Sequence, residues 1–144
     1  MATNNVFASS TSIHQSVTCS HPPTPTSGAP VRYGDMVGVA LTAEDSAGLT
    51  TVDFTPGNVY LLSVKGVNAG GNVAVAAGDA LYYVDGDTPV LSKKKTGYLA
   101  GNAVEAVVTG VSAGVYTGAI TSGATATIPV RLSGTGLGIP PVSA

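Results

Sequence analysis

Tryptophan is absent from the chain, phenylalanine and methionine occur twice each, and Cys19 is the one cysteine. A lone cysteine excludes an intrachain disulfide framework and a cysteine-based zinc cluster. Charge is scarce as well. Asp, Glu, Lys and Arg make up 10% of the residues, where soluble domains usually carry about a quarter. Six lysines and arginines among 144 residues cannot readily form the basic footprint of a nucleic-acid binder, so no nucleic-acid partner is expected. No run approaches the roughly eighteen apolar residues that a membrane span requires. The opening "MATNNVFASSTS" has neither the basic start nor the apolar run of a signal peptide. A soluble protein made in the cytoplasm, with no membrane contact, is the expectation.

Glycine and proline are plentiful, at 19 and 9 residues. Beyond Pro22 they are spaced too closely for a helix of ordinary length, while the Val and Thr content favours strands. The segment before Pro22 is different. It contains no Gly or Pro, and in an extended conformation Phe7, Ile13, Val17 and Cys19 share one face. "HPPTPTSGAP", from His21 to Pro30, is a stiff connector. Residues 1–30 therefore read as an extended N-terminal arm and Pro-rich linker, which lies on its own domain or reaches a neighbouring subunit. Residues 31–133 read as the β domain, and residues 134–144 as an irregular tail.

Alternation sets the expected core. Val37, Val39 and Leu41 share a face, as do Tyr60, Leu62 and Val64, and Ile128, Val130 and Leu132. "AVEAVVTGV", from Ala103 to Val111, reads as one strand with Val104, Ala106 and Val108 on one side and Glu105 on the wet side. Pro129 inside a strand argues for an edge position. About eight short, turn-bounded strands specify an all-β fold: a single small β-sandwich, jelly-roll-like or barrel domain.

"AVAAGDALYYVDGD", from Ala74 to Asp87, gathers three aspartates beside two tyrosines. Calcium would need further acidic ligands and a bidentate Glu, which are missing. Asp85-Gly86 is a favoured turn pair, and the Gly-Asp of Gly78-Asp79 recurs at Gly34-Asp35. Turn formation is the simpler account. His14, Cys19 and His21 are the only soft metal ligands, and the first two fall on opposite faces of an extended arm. No G-x-S-x-G elbow, phosphate loop or dinucleotide fingerprint occurs, and the histidines are expected to lie away from the domain body. No catalytic residue, metal or cofactor is expected. Tyr82 and Tyr83 point to opposite sides of one strand, so one suits the core and the other an interface. The basic run Lys93-Lys94-Lys95 is a solvated loop or a contact.

The order of these elements resembles that of the small capsid cement, or head decoration, proteins of tailed bacteriophages. The likeness is carried by the Ser-Gly-x-Pro-Val-x-x-Gly-Asp opening at Ser27, the Gly-Asp-x-x-Tyr-Tyr strand at Gly78, the run from Gly101 to Ala106 and the terminal Val-Arg-Leu ending at Leu132. It covers most of residues 25–133. The resemblance implies a structural virion protein without an active site. Such a protein binds the outer surface of the head as a dimer or trimer and staples neighbouring major capsid proteins. Phe7, Ile13, Val17, Tyr82, Tyr83, Lys93, Lys94 and Lys95 are then the candidate partner contacts. A carbohydrate- or host-surface-binding β module is the alternative, with exposed Tyr and Asp as its site, and a small hydrolase using His14 or His21 is a third.

Overall fold

A computed structural model describes residues 13–109 and 113–133. Thirteen strands and no helix occupy them: β1 (His14–Val17), β2 (Pro30–Tyr33), β3 (Met36–Ala40), β4 (Thr50–Asp53), β5 (Val59–Lys65), β6 (Val67–Asn68), β7 (Gly71–Asn72), β8 (Ala80–Tyr83), β9 (Leu91–Ser92), β10 (Tyr98–Ala103), β11 (Ala106–Val108), β12 (Gly114–Tyr116) and β13 (Thr125–Leu132). The protein is all-β, as expected, and of the three architectures it adopts the barrel. Five strands close in the order β10-β13-β5-β9-β8, and a four-stranded antiparallel sheet runs β1-β4-β3-β2.

The barrel follows from alternation. β5 and β13 pair antiparallel from Val59↔Arg131 to Lys65↔Thr125, which sets Leu62 opposite Ile128 and Val64 opposite Ala126 on the inner face. A short parallel pairing of β5 with β9, Val64↔Leu91, closes the ring. Leu62, Val64, Leu81, Tyr83, Leu91, Val130 and Leu132 are buried in this core, together with Val37 and Val39 from the sheet. A second cluster, Val17, Val31, Ala40, Val52 and Phe54, fills the other side of the sheet.

β3 thus contributes to both clusters, and Val37 through Ala40 are buried in succession. Val37 and Val39 share the face toward the barrel core, as expected, but Leu41, expected beside them, is exposed. Strands covered on both faces lose their alternation. Gly38 is needed here because a Cβ would lie 2.5 Å from the Asp53 carbonyl oxygen and 2.8 Å from Phe54 Cδ1.

The expected strand from Ala103 to Val111 is broken, and the described chain shows why. β10 ends at Ala103, opposite Val130. Val104 donates its N–H to the Pro129 carbonyl at 3.0 Å, but Pro129 has no N–H to return. The β10–β13 ladder stops there, and the chain leaves to form the separate β11–β12 hairpin. Pro129 lies in a strand paired on both sides rather than at a sheet edge. It is tolerated because its missing donor faces the place where the neighbouring ladder ends.

The described part of the arm lies on its own domain. β1 pairs with β4 from His14↔Asp53 to Val17↔Thr50. The chain then bridges to β2 at His21↔Arg32. The segment therefore passes from one edge of the sheet to the other, laying Val17, Ile13 and Cys19 on the second cluster.

Candidate interaction surface

Asp53 is the most enclosed charged group, with 1% of its surface exposed. Its Oδ1 accepts the Thr55 N–H at 2.8 Å, and its Oδ2 accepts Asn58 Nδ2 at 2.8 Å and the Tyr60 hydroxyl. His14 Nε2 stands 3.5 Å from Oδ1. Burial alone would raise this carboxyl, but the Thr55, Tyr60 and Asn58 hydrogen bonds outweigh it and hold it below the ordinary range. Tyr60 responds in the opposite sense. Burial, then its bond to Asp53, pushes the phenol up to about 12. Thr55 completes the latch, accepting the Ile13 N–H at 2.8 Å while Phe54 N–H binds the Ile13 carbonyl at 2.8 Å. The group is fully engaged in fastening the N-terminal strand to the body.

A second node joins sheet to barrel. Arg32 Nε and Nη2 reach the two carboxylate oxygens of Asp85 at 2.9 and 2.7 Å. The guanidinium carbon lies 4.5 Å from the centre of the Tyr98 ring. Beside it, His21 Nδ1 is 2.7 Å from the Tyr83 hydroxyl, the two rings meeting edge to face at 5.7 Å. Both histidines therefore lie against the domain body, contrary to the expectation that they stand away from it. They are nonetheless in different places, and among the described residues no three His, Cys, Asp or Glu side chains converge on a metal position. Cys19 is a half-buried thiol whose pKa burial pushes up, so it holds little thiolate near neutrality.

The three aspartates of the tyrosine-bearing stretch from Ala74 to Asp87 are turn residues with an additional task. Asp79 accepts the Ala76 N–H at 2.8 Å and Lys93 Nζ at 2.7 Å, and Lys94 Nζ meets Asp87 at 2.7 Å. With Arg32 on Asp85, each aspartate holds a cation. The Lys93 bond draws the Asp79 carboxyl below its usual range, and the Arg32 fork does the same to Asp85. Short-range pattern reading misses these pairs because Asp85 and Arg32 are 53 positions apart.

The candidate contacts separate accordingly. Tyr83 is fully buried and Tyr82 half-buried. Ile13 and Val17 face the chain's own second cluster. Lys93 and Lys94 are in ion pairs, Lys95 is exposed, and Phe7 lies outside the described residues. The apolar surface that sequence reading missed is the β11–β12 hairpin. Val107 and Val115 are directly opposed, with 76% and 75% of their surfaces exposed. Among the described residues the hairpin pairs with no other strand. Its one signal in the sequence is Glu105, which marks as wet the face that Val107 shares by alternation.

Comparison with protein-family models, with curated proteins and with solved structures finds no match to this chain.

Proposed function

We propose that this protein is a capsid cement protein, a structural component that binds the outer surface of a bacteriophage head and staples major capsid proteins together. The observation that carries the reading is the exposed Val107–Val115 pair on a hairpin that, among the described residues, pairs with no other strand. Two-stranded hairpins are marginal in water, and β-branched pairs exposed to this degree gain most when another surface covers them. The low charge and the resemblance of the element order to that of cement proteins support the same reading. Stabilisation would follow mass action, since a ligand bound only to the assembled shell favours that state, and many copies add avidity.

The carbohydrate-binding alternative relies on free Asp and Tyr. Asp79, Asp85 and Asp87 are paired with cations and Tyr83 is buried, which removes most of its proposed site.

The test is co-sedimentation of the purified protein with expanded heads. The wild-type chain should bind in stoichiometric copy number. Val107→Ser combined with Val115→Ser should remain folded, with a stability change within about 0.5 kcal/mol, and lose head occupancy. No binding by the wild type defeats the reading, and undiminished binding by the double variant defeats the role of the hairpin.

A further inference from the structure

All four lysines of the chain, Lys65, Lys93, Lys94 and Lys95, gather around one turn, Asn68 to Gly70 between β6 and β7. The turn is set by Asn68 Oδ1 accepting the Gly70 N–H at 2.8 Å. On one side of it lies a cleft of about 470 Å³, bounded by Lys65 and Lys94 and by the Gly86 to Pro89 segment. On the other side lies a cleft of about 440 Å³ bounded by Lys93 and Lys95. Asp79 and Asp87 neutralise two of the lysines, while Lys65 and Lys95 form no ion pair among the described residues. Four lysines against two aspartates leave this end at +2, in a chain whose net charge is −2. The positive charge is therefore concentrated, not spread.

From this placement we infer that the twin clefts form a docking site for an acidic segment of a protein partner, its carboxylates seated between Lys65 and Lys94 on one side and near Lys95 on the other. Three features favour a peptide. The two clefts flank a narrow turn, so an extended chain can lie across both. Gly71 and Gly86 have open space where a side chain would be, which leaves their backbone approachable for main-chain hydrogen bonds. Val67, Ala69 and Pro89 supply apolar wall for the aliphatic stems of Asp and Glu. A nucleic-acid strand is disfavoured, because two uncompensated lysines give too small a footprint. The inference goes beyond the cement assignment and stands or falls separately, since any acidic protein segment would serve.

The test uses the full chain and an unstructured peptide of alternating Asp and Glu, followed by amide-shift NMR at low and moderate salt. Shifts should map to residues 65–71 and 86–95, weaken with salt, and be absent with the matching Asn and Gln peptide. Lys65→Glu together with Lys95→Glu breaks no ion pair and should weaken the peptide about tenfold or more, with the thermal midpoint unchanged. Equal shifts from the amide peptide would overturn the proposal, as would shifts from inorganic phosphate alone. So would undiminished binding by the lysine variant, or salt-dependent self-association that the same variant abolishes. The valine hairpin variant should bind the peptide normally, which separates failure here from failure of the cement reading.

Discussion

Replacing Asp53 by Asn tests whether the N-terminal strand is held by a buried, charged acceptor. The native carboxylate takes Thr55 N–H on one oxygen and the Asn58 amide and Tyr60 hydroxyl on the other. An asparagine can offer only one oxygen. With its NH₂ on the Oδ1 side it faces the Thr55 N–H, and on the Oδ2 side it requires the Asn58 amide to flip and the Tyr60 hydroxyl to turn from donor to acceptor. A hydrogen bond to a charged group contributes about 1.5–3 kcal/mol, and a buried group left unmatched adds to the loss. The variant should therefore lose about 3 kcal/mol. With a urea dependence of about 2 kcal/mol per molar, the unfolding midpoint falls by about 1.5 M, and the thermal midpoint by roughly 10 °C. Because the chain lacks tryptophan, tyrosine fluorescence or far-ultraviolet dichroism is the natural probe. The difference should also depend on pH. The Asp53 carboxyl is held below its unfolded value, so the unfolded state binds the proton first. Its contribution is present above about pH 4 and is lost as pH falls through the folded-state value. The gap between wild type and variant should close over that acidic window. A midpoint shift below about 0.5 M at neutral pH, or a gap independent of pH down to acid unfolding, would refute the assignment of Asp53 as the latch.

Other substitutions examine the remaining joints. Gly101→Ala sets a methyl group against the Arg131 backbone carbonyl of the neighbouring strand and should cost about 2 kcal/mol or more in urea unfolding, whereas Gly86→Ala, with open space and no positive φ, should change stability by less than about 0.5 kcal/mol. Arg32→Lys keeps the charge but loses the two-pronged grip on Asp85 and the stack on Tyr98. Since Asp85 is 40% exposed, the expected loss is only about 1 kcal/mol, shrinking with salt. Tyr83→Phe removes the hydroxyl partnered with His21 and should cost about 1 kcal/mol, with faster amide exchange around His21, while half-buried Tyr82→Phe should leave exchange there unaltered.

Much of the architecture was legible because it depends on local properties. Close-set glycines and prolines forbid helices, and the alternation in β5 and β13 placed Leu62, Val64, Ile128, Val130 and Leu132 inward. The turn at Gly78-Asp79 was legible for the same reason: glycine at φ 95° and a carboxylate able to bond nearby backbone are properties of the residues themselves. Two strands could not be read in full, because burial and pairing depend on what lies across the sheet. β3 keeps Val37 and Val39 on one face as read, but its other face is buried as well because a second cluster covers it. The strand after Ala103 broke because its partner carries Pro129, 26 positions away in the chain.

The candidate surfaces divide along the same line. From the sequence came the class of residue that each position could be: Asp85 a turn former, one tyrosine of the pair a core residue, Lys93 to Lys95 a basic run. Only the folded chain decided that Tyr83 is the inward one, that Asp85 grips Arg32, and that Lys65 joins the triplet around a single turn. Conformational preference acts over a few bonds, so it is written in neighbouring letters. Charge pairing, and the burial that makes it matter, act across space, and they take their values only once distant strands have been brought together.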